Sequence, residues 1–243
     1  MLRAELRRAV QGRQLALFAS GAVFLCLVTG YSLAVGAKDS ALTAAAAGTL
    51  VESQARSWMM TFLFAGLFAS MVFTRDLGTG ALTRSVLTAS RRAVFTAKAT
   101  VAALVGAAFG LGAAALAVGS TYAMNTALSV PFVWTGEATL IVLGIGACCV
   151  LAALFGLFVG MLTRHATGAL MLLLVQTLLL EPGLQRLAPD VAKYLFTISL
   201  SSIYRDVLPN LLSVPLAWAV ALGWVVVAGG AAWSAFSTKD IGS

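Results

Sequence analysis

Apolar residues gather along this chain in long runs, and short polar segments separate them. Crossing a hydrocarbon core of about 30 Å takes roughly 20 apolar residues in a helix. Runs at about 15–35, 54–74, 99–124, 138–162, 166–180 and 214–236 are read as spans, and all but the fifth reach that length. The pattern therefore predicts an all-α integral membrane protein with six transmembrane helices. The second run is apolar only from Trp58 to Thr74, about 17 residues, so its helix is expected to start near Gln54 and tilt little, with Trp58 at the interface. Gly106 and Gly110 in the third run and Gly156 and Gly160 in the fourth have the G-x-x-x-G spacing that lets helices approach closely.

The polar segments carry the rest of the pattern. In residues 1–14, Leu2, Leu6 and Val10 recur at four-residue spacing, with Arg3, Arg7, Arg8 and Arg13 on the remaining face. That is a basic amphipathic helix for the headgroup layer, where anionic lipid attracts cations. A cleaved signal peptide is the competing reading, with Ala34-Val35-Gly36 before Ala37, but the apolar run is longer than a signal core and more spans follow. The chain thus divides into an interfacial helix, 1–14, and a six-helix domain, 15–243. Residues 125–137 hold Pro131 and Trp134 and form a turn, and Thr163-Arg164-His165 forms a tighter one. From 181 to 210, Pro182, Pro189 and Pro209 interrupt a helical spacing of apolar residues. One or two short amphipathic helices are expected there, at the outer surface or dipping into the membrane.

Composition agrees. Of 243 residues 60% are hydrophobic and 10% charged, and the mean hydropathy is +0.95, whereas a soluble domain is about 25% charged. A net charge of +7 is explained by topology better than by nucleic acid, because the basic residues flank apolar runs. The segment 75–98 alone contains Arg75, Arg84, Arg91, Arg92 and Lys98 against Asp76. Basic segments stay on the cytoplasmic side. Adding Arg3, Arg7, Arg8, Arg13, Arg164 and Lys239 gives eleven cytoplasmic cations, against Lys38, Arg56, Arg186, Lys193 and Arg205 outside. Both termini then lie in the cytosol, with Thr88 and Ser243 inside and Ser40 and Asp190 outside, in a multi-pass protein of the cell membrane.

Little chemistry is written in the chain. Cys26, Cys148 and Cys149 lie in apolar runs without zinc spacing and read as packing residues. No G-x-x-x-x-G-K-[ST] occurs, so no phosphate cradle of that type is expected. The lone His165 sits on the opposite side from Ser120 and Ser201, which argues against a Ser-His pair, and Glu137 and Glu181 fall at span ends. No catalytic, cofactor-binding or metal site is predicted. Gln176, near the middle of the fifth run, needs a hydrogen-bond partner, either on another helix or on a passing substrate.

A basic interfacial start, six spans, and a loop reading Asp76, Gly78, Thr79, Gly80, then Ser90-Arg91, then Lys98 at the third span together resemble the permease subunit of an ABC-2 type exporter. The tail, Phe236 followed by Lys239-Asp240-Ile241, and the helical segment before the last span are similar to that family as well. The likeness covers nearly the whole chain through the order of its features. It implies a coupling helix between spans two and three that docks in a groove of a separate ATPase subunit, with ATP and Mg on that subunit and no cofactor here. It also implies pairing with a second permease, identical or a sister chain.

Carried onto this sequence, docking falls between Gly78 and Arg91, and a helix over 80–88 places Leu82 and Val86 on one apolar ridge with Arg84 beside it. The docking set is thus Gly78, Leu82, Arg84, Val86 and Arg91. The function implied is ATP-driven export of an amphipathic drug, antibiotic, lipid or peptide. A non-transporting membrane anchor is the alternative. For an exporter, a cargo path between the second and fifth spans would be lined by Phe64, Phe68, Met71, Met171 and Gln176, since aromatic and Met surfaces accept varied ligands.

Overall fold

The computed structural model describes residues 2–10, 13–38 and 42–238. Ser40 and the tail 239–243, which includes Lys239 and Ser243, lie outside the described residues, as does the tail portion of the family likeness. Among the described residues the chain is helical, without strands, and six helices are long and apolar enough to cross a membrane. This is a multi-pass helical membrane protein.

Helix α1, Leu2–Val10, precedes the first span α2, Arg13–Ala37. The second span is longer than expected. Its helix begins at Ala44 as α3, Ala44–Arg56, passes a 3-10 turn over Ser57–Met59, and continues as α4, Met60–Gly78. Thr43 caps the start by accepting from the Ala46 N–H, and alanines favour helix through what was expected to be an outer loop. Helix α5 spans Ala81–Thr88, and the third span α6 covers Arg91–Ala127, beginning eight residues before the expected boundary because Ser90 caps it.

The fourth span α7, Gly136–Thr163, is the centre of the bundle, packed by α4 and α6 on its flanks. Glycine makes this possible. A Cβ on Gly156 would sit 2.1 Å from the Gly66 carbonyl oxygen of α4, so only a residue without one allows these backbones to touch. Gly106 and Gly110 of α6 meet α7 in the same way, at Cys149 and Gly146. The three cysteines are free and buried.

The fifth span starts at His165, whose Nδ1 accepts from the Gly168 N–H, and runs as α8, Ala166–Val175. It passes through a π turn at Gln176–Leu180 into α9, Glu181–Leu187. Two further helices follow, α10 at Pro189–Ala192 and α11 at Phe196–Ile203, before the last span α12, Val214–Thr238. All eight residues of α11 are buried, so this is no amphipathic surface helix. The Phe196 ring stacks on Phe155 of α7 at 4.2 Å, and Trp224 Nε1 donates to the Tyr194 carbonyl at 2.9 Å. Trp224 lies about 15 Å along α12 from its first residue. The chain before α11 therefore reaches well along α12, and α11 climbs back out along α7, reaching Gly144 at Ile203 and Tyr204.

Candidate functional site

Four elements meet at the end of the bundle that carries α1 and α5. Lys98, about two turns into α6, sends its ammonium to Glu5 Oε2 of α1 at 2.8 Å and to Asp76 Oδ2 of α4 at 2.6 Å. All three residues are only 3% exposed. Desolvating an ion costs several kcal/mol, so such a cluster persists only where each charge is paired and bonded. Arg8 completes it, with Nη1 donating to Glu5 Oε1 at 3.3 Å and to Ser85 Oγ of α5 at 3.2 Å. Arg75 donates to the Arg8 carbonyl and to Gln14 Oε1. Helix α1 is thereby fastened to α4, α5 and α6 together.

Helix α5 hangs from this knot. Gly80, at φ 67°, turns the chain through a left-handed conformation that a Cβ would strain. Leu82, only 2% exposed, then enters the hydrophobic core, and Val86 packs half-buried against it. The expected apolar ridge is real but faces inward, where α5 covers its own bundle. Outward stand Leu87, 82% exposed, and Arg84, whose Nη2 donates to the Thr79 carbonyl at 3.4 Å. Gly78 is exposed too. Arg91 instead turns back to the carbonyls of Phe236 and Ser237, tying the start of α6 to the end of α12. Of the expected docking set, Gly78 and Arg84 lie at the surface, and Leu82, Val86 and Arg91 serve the fold.

At the opposite end a cavity of about 620 Å³ opens between the start of α4, the π turn, α9 and α11. Phe62, Leu63, Leu178 and Ile198 form its apolar wall. None of the five residues expected along a path between the second and fifth spans lines it. Phe68 is fully buried with its ring 6.2 Å from Phe18 and 6.1 Å from Phe109, and Phe64 faces Phe18 as well, so both look toward the first span. Met71 is half-buried, and Met171 is exposed on the outside of the bundle.

Gln176 finds its partner close by. Its Nε2 donates to Glu181 Oε1 at 2.8 Å, and Glu181 Oε2 accepts from the Ile198 N–H at 3.1 Å. Glu181 is buried within the fifth span, not at its end, and it caps α11. The π turn makes the pair: its bond from Glu181 N–H to the Gln176 carbonyl wraps five residues to a turn and stacks positions 176 and 181. At the cavity floor Tyr204 bonds Ser201 and Asp206 through its hydroxyl, both at 3.1 Å. Burial, with the Asp206 carboxylate beside it, pushes the Tyr204 phenol well up, so it keeps its proton and donates.

Residues 5, 76 and 98 were missed as a group by sequence reasoning, which placed Asp76 in the cytoplasmic loop between the second and third spans and Lys98 where that loop enters the third. The available signal was Glu5, the one acidic residue in an otherwise basic helix, lying four residues from Ala9 on a face that proves buried. The sequence matches no family model and no curated protein.

Proposed function

We propose that this chain is the permease subunit of an ATP-driven ABC exporter, working with separate ATPase subunits and a second permease. ATP and Mg belong to the ATPase, and the end carrying α1 and α5 faces the cytosol across the cell membrane. One observation carries the reading: a short helix between the second and third spans presents Leu87 and Arg84 outward while Leu82 and the Glu5, Asp76 and Lys98 cluster root it in three other helices. A force on α5 would reach α4 and α6 directly, because buried, paired charges resist local sliding. The cavity beside the second and fifth spans offers room for an amphipathic cargo.

The test is copurification with the ATPase encoded nearest to this chain, together with transport of a panel of amphipathic compounds. Leu87→Asp should leave the chain in the membrane at its normal level and reduce both ATPase capture and transport, since an unpaired carboxylate would be desolvated in the partner's cleft. Retention of both would favour a non-transporting anchor.

A further inference from the structure

Arg186 stands out among the charges of the far end. Arg56 and Glu52, Arg205 and Glu137, and Lys193 and Asp190 are paired. Arg186 lines the cavity and makes no hydrogen bond or ion pair with any described residue. The other charge on the lining, Asp206, is already engaged: Oδ1 accepts from the Val207 N–H at 2.8 Å and Oδ2 from the Tyr204 hydroxyl at 3.1 Å. The cavity therefore combines an apolar wall with an open guanidinium fork and a carboxylate that already accepts one hydrogen bond on each oxygen. A volume of about 620 Å³ falls within the roughly 300–1,000 Å³ of small-molecule sites.

We propose that this cavity binds an amphipathic anion, its apolar body against Phe62, Leu63, Leu178 and Ile198 and its carboxylate or phosphate on Arg186. Five donors in a planar fork match such a head with charge-assisted, bidentate bonds, whereas a cationic head would be repelled by that guanidinium and would find in Asp206 a carboxylate already accepting from Val207 and Tyr204. The head belongs either to a diffusible amphipath or to an anionic phospholipid. That the cavity carries exported cargo rests on the permease reading; that it binds such an anion does not.

The experiment uses the full chain in nanodiscs of zwitterionic lipid, without any ATPase, and a photoreactive dodecanoate whose crosslinks are mapped by mass spectrometry. Dodecanoate should label the segments of α4, α9 and α11 that line the cavity, and dodecyltrimethylammonium should compete poorly. Arg186→Gln should weaken dodecanoate binding about ten-fold, as expected for losing a charge-assisted hydrogen bond, and Asp206→Asn should not weaken it. Because Arg186 has no partner among the described residues to lose, an unchanged elution profile of Arg186→Gln separates binding from folding. Protection by anionic phospholipid added to the disc would assign the site to lipid; labelling that persists would assign it to a diffusible anion. Equal competition by the cation, undiminished binding to Arg186→Gln, or labelling elsewhere would overturn the proposal.

Discussion

Lys98 holds two carboxylates at 2.6 and 2.8 Å, closer than Arg8 comes to Glu5 or Arg75 to Asp76. Removing one partner from a buried ion group costs about 3–5 kcal/mol, whereas replacing the whole group with apolar residues is often neutral. Lys98→Met should therefore lower the thermal midpoint of the purified protein sharply, and the triple change Glu5→Gln, Asp76→Asn, Lys98→Met should recover most of the loss. A triple variant no better than Lys98→Met would remove charge pairing as the cause. Sequence alone could not reveal this cluster, because its members are 22 and 93 residues apart and share no periodicity. Gln176 was legible as a residue that needs a partner, but not its partner, since an ordinary α-helix places positions 176 and 181 on different faces. Gln176→Leu would deprive the buried Glu181 of one of its donors and cost about 1–3 kcal/mol. A lower thermal midpoint is the expected result, in place of the altered cargo preference that a lining residue would give.

At the scale of elements, the positions of the helices were largely legible and their facings were not. The spacing of Leu82 and Val86 places both on one side of a helix over 80–88, and the structure agrees on the helix; only tertiary packing decides that this side covers the bundle. The same limit explains α11, whose burial against α7 depends on Gly144, a residue about sixty positions earlier that lets the backbones of Ile203 and Tyr204 come close. The consequence for α5 is testable with two substitutions of identical chemistry. Burying a Leu side chain contributes about 1.5–3 kcal/mol, and a carboxylate in its place adds its own desolvation cost. Leu82→Asp should thus yield little folded protein in detergent, while Leu87→Asp should purify as a single, stable species. Equal behaviour of the two, by size-exclusion profile and yield, would show that α5 is not seated as described.

The whole molecule has two unlike ends. Among the described residues ten cations group at the α1 and α5 end and five at the other, and short segments rich in Lys and Arg remain on the cytoplasmic side. The structure sharpens this bias, because Glu5 and Asp76, the acidic residues of that end among those described, are buried with Lys98, and of the α1 arginines only Arg8 pairs with Glu5 while Arg3 and Arg7 stay exposed. Six spans then return the chain to the side where it began. The prediction is read with single cysteines at two positions that the structure leaves open, Leu87, 82% exposed, and Asp190, whose side chain is 88% exposed. Cys26, Cys148 and Cys149 are buried among the spans and should contribute little background, and replacing them removes the remainder. In intact cells an impermeant maleimide should modify Asp190→Cys and spare Leu87→Cys, and permeabilisation should expose the second. Modification of Leu87→Cys in intact cells would invert the molecule, place α5 where no ATPase could reach it, and end the permease reading, while the six-span fold would stand unchanged.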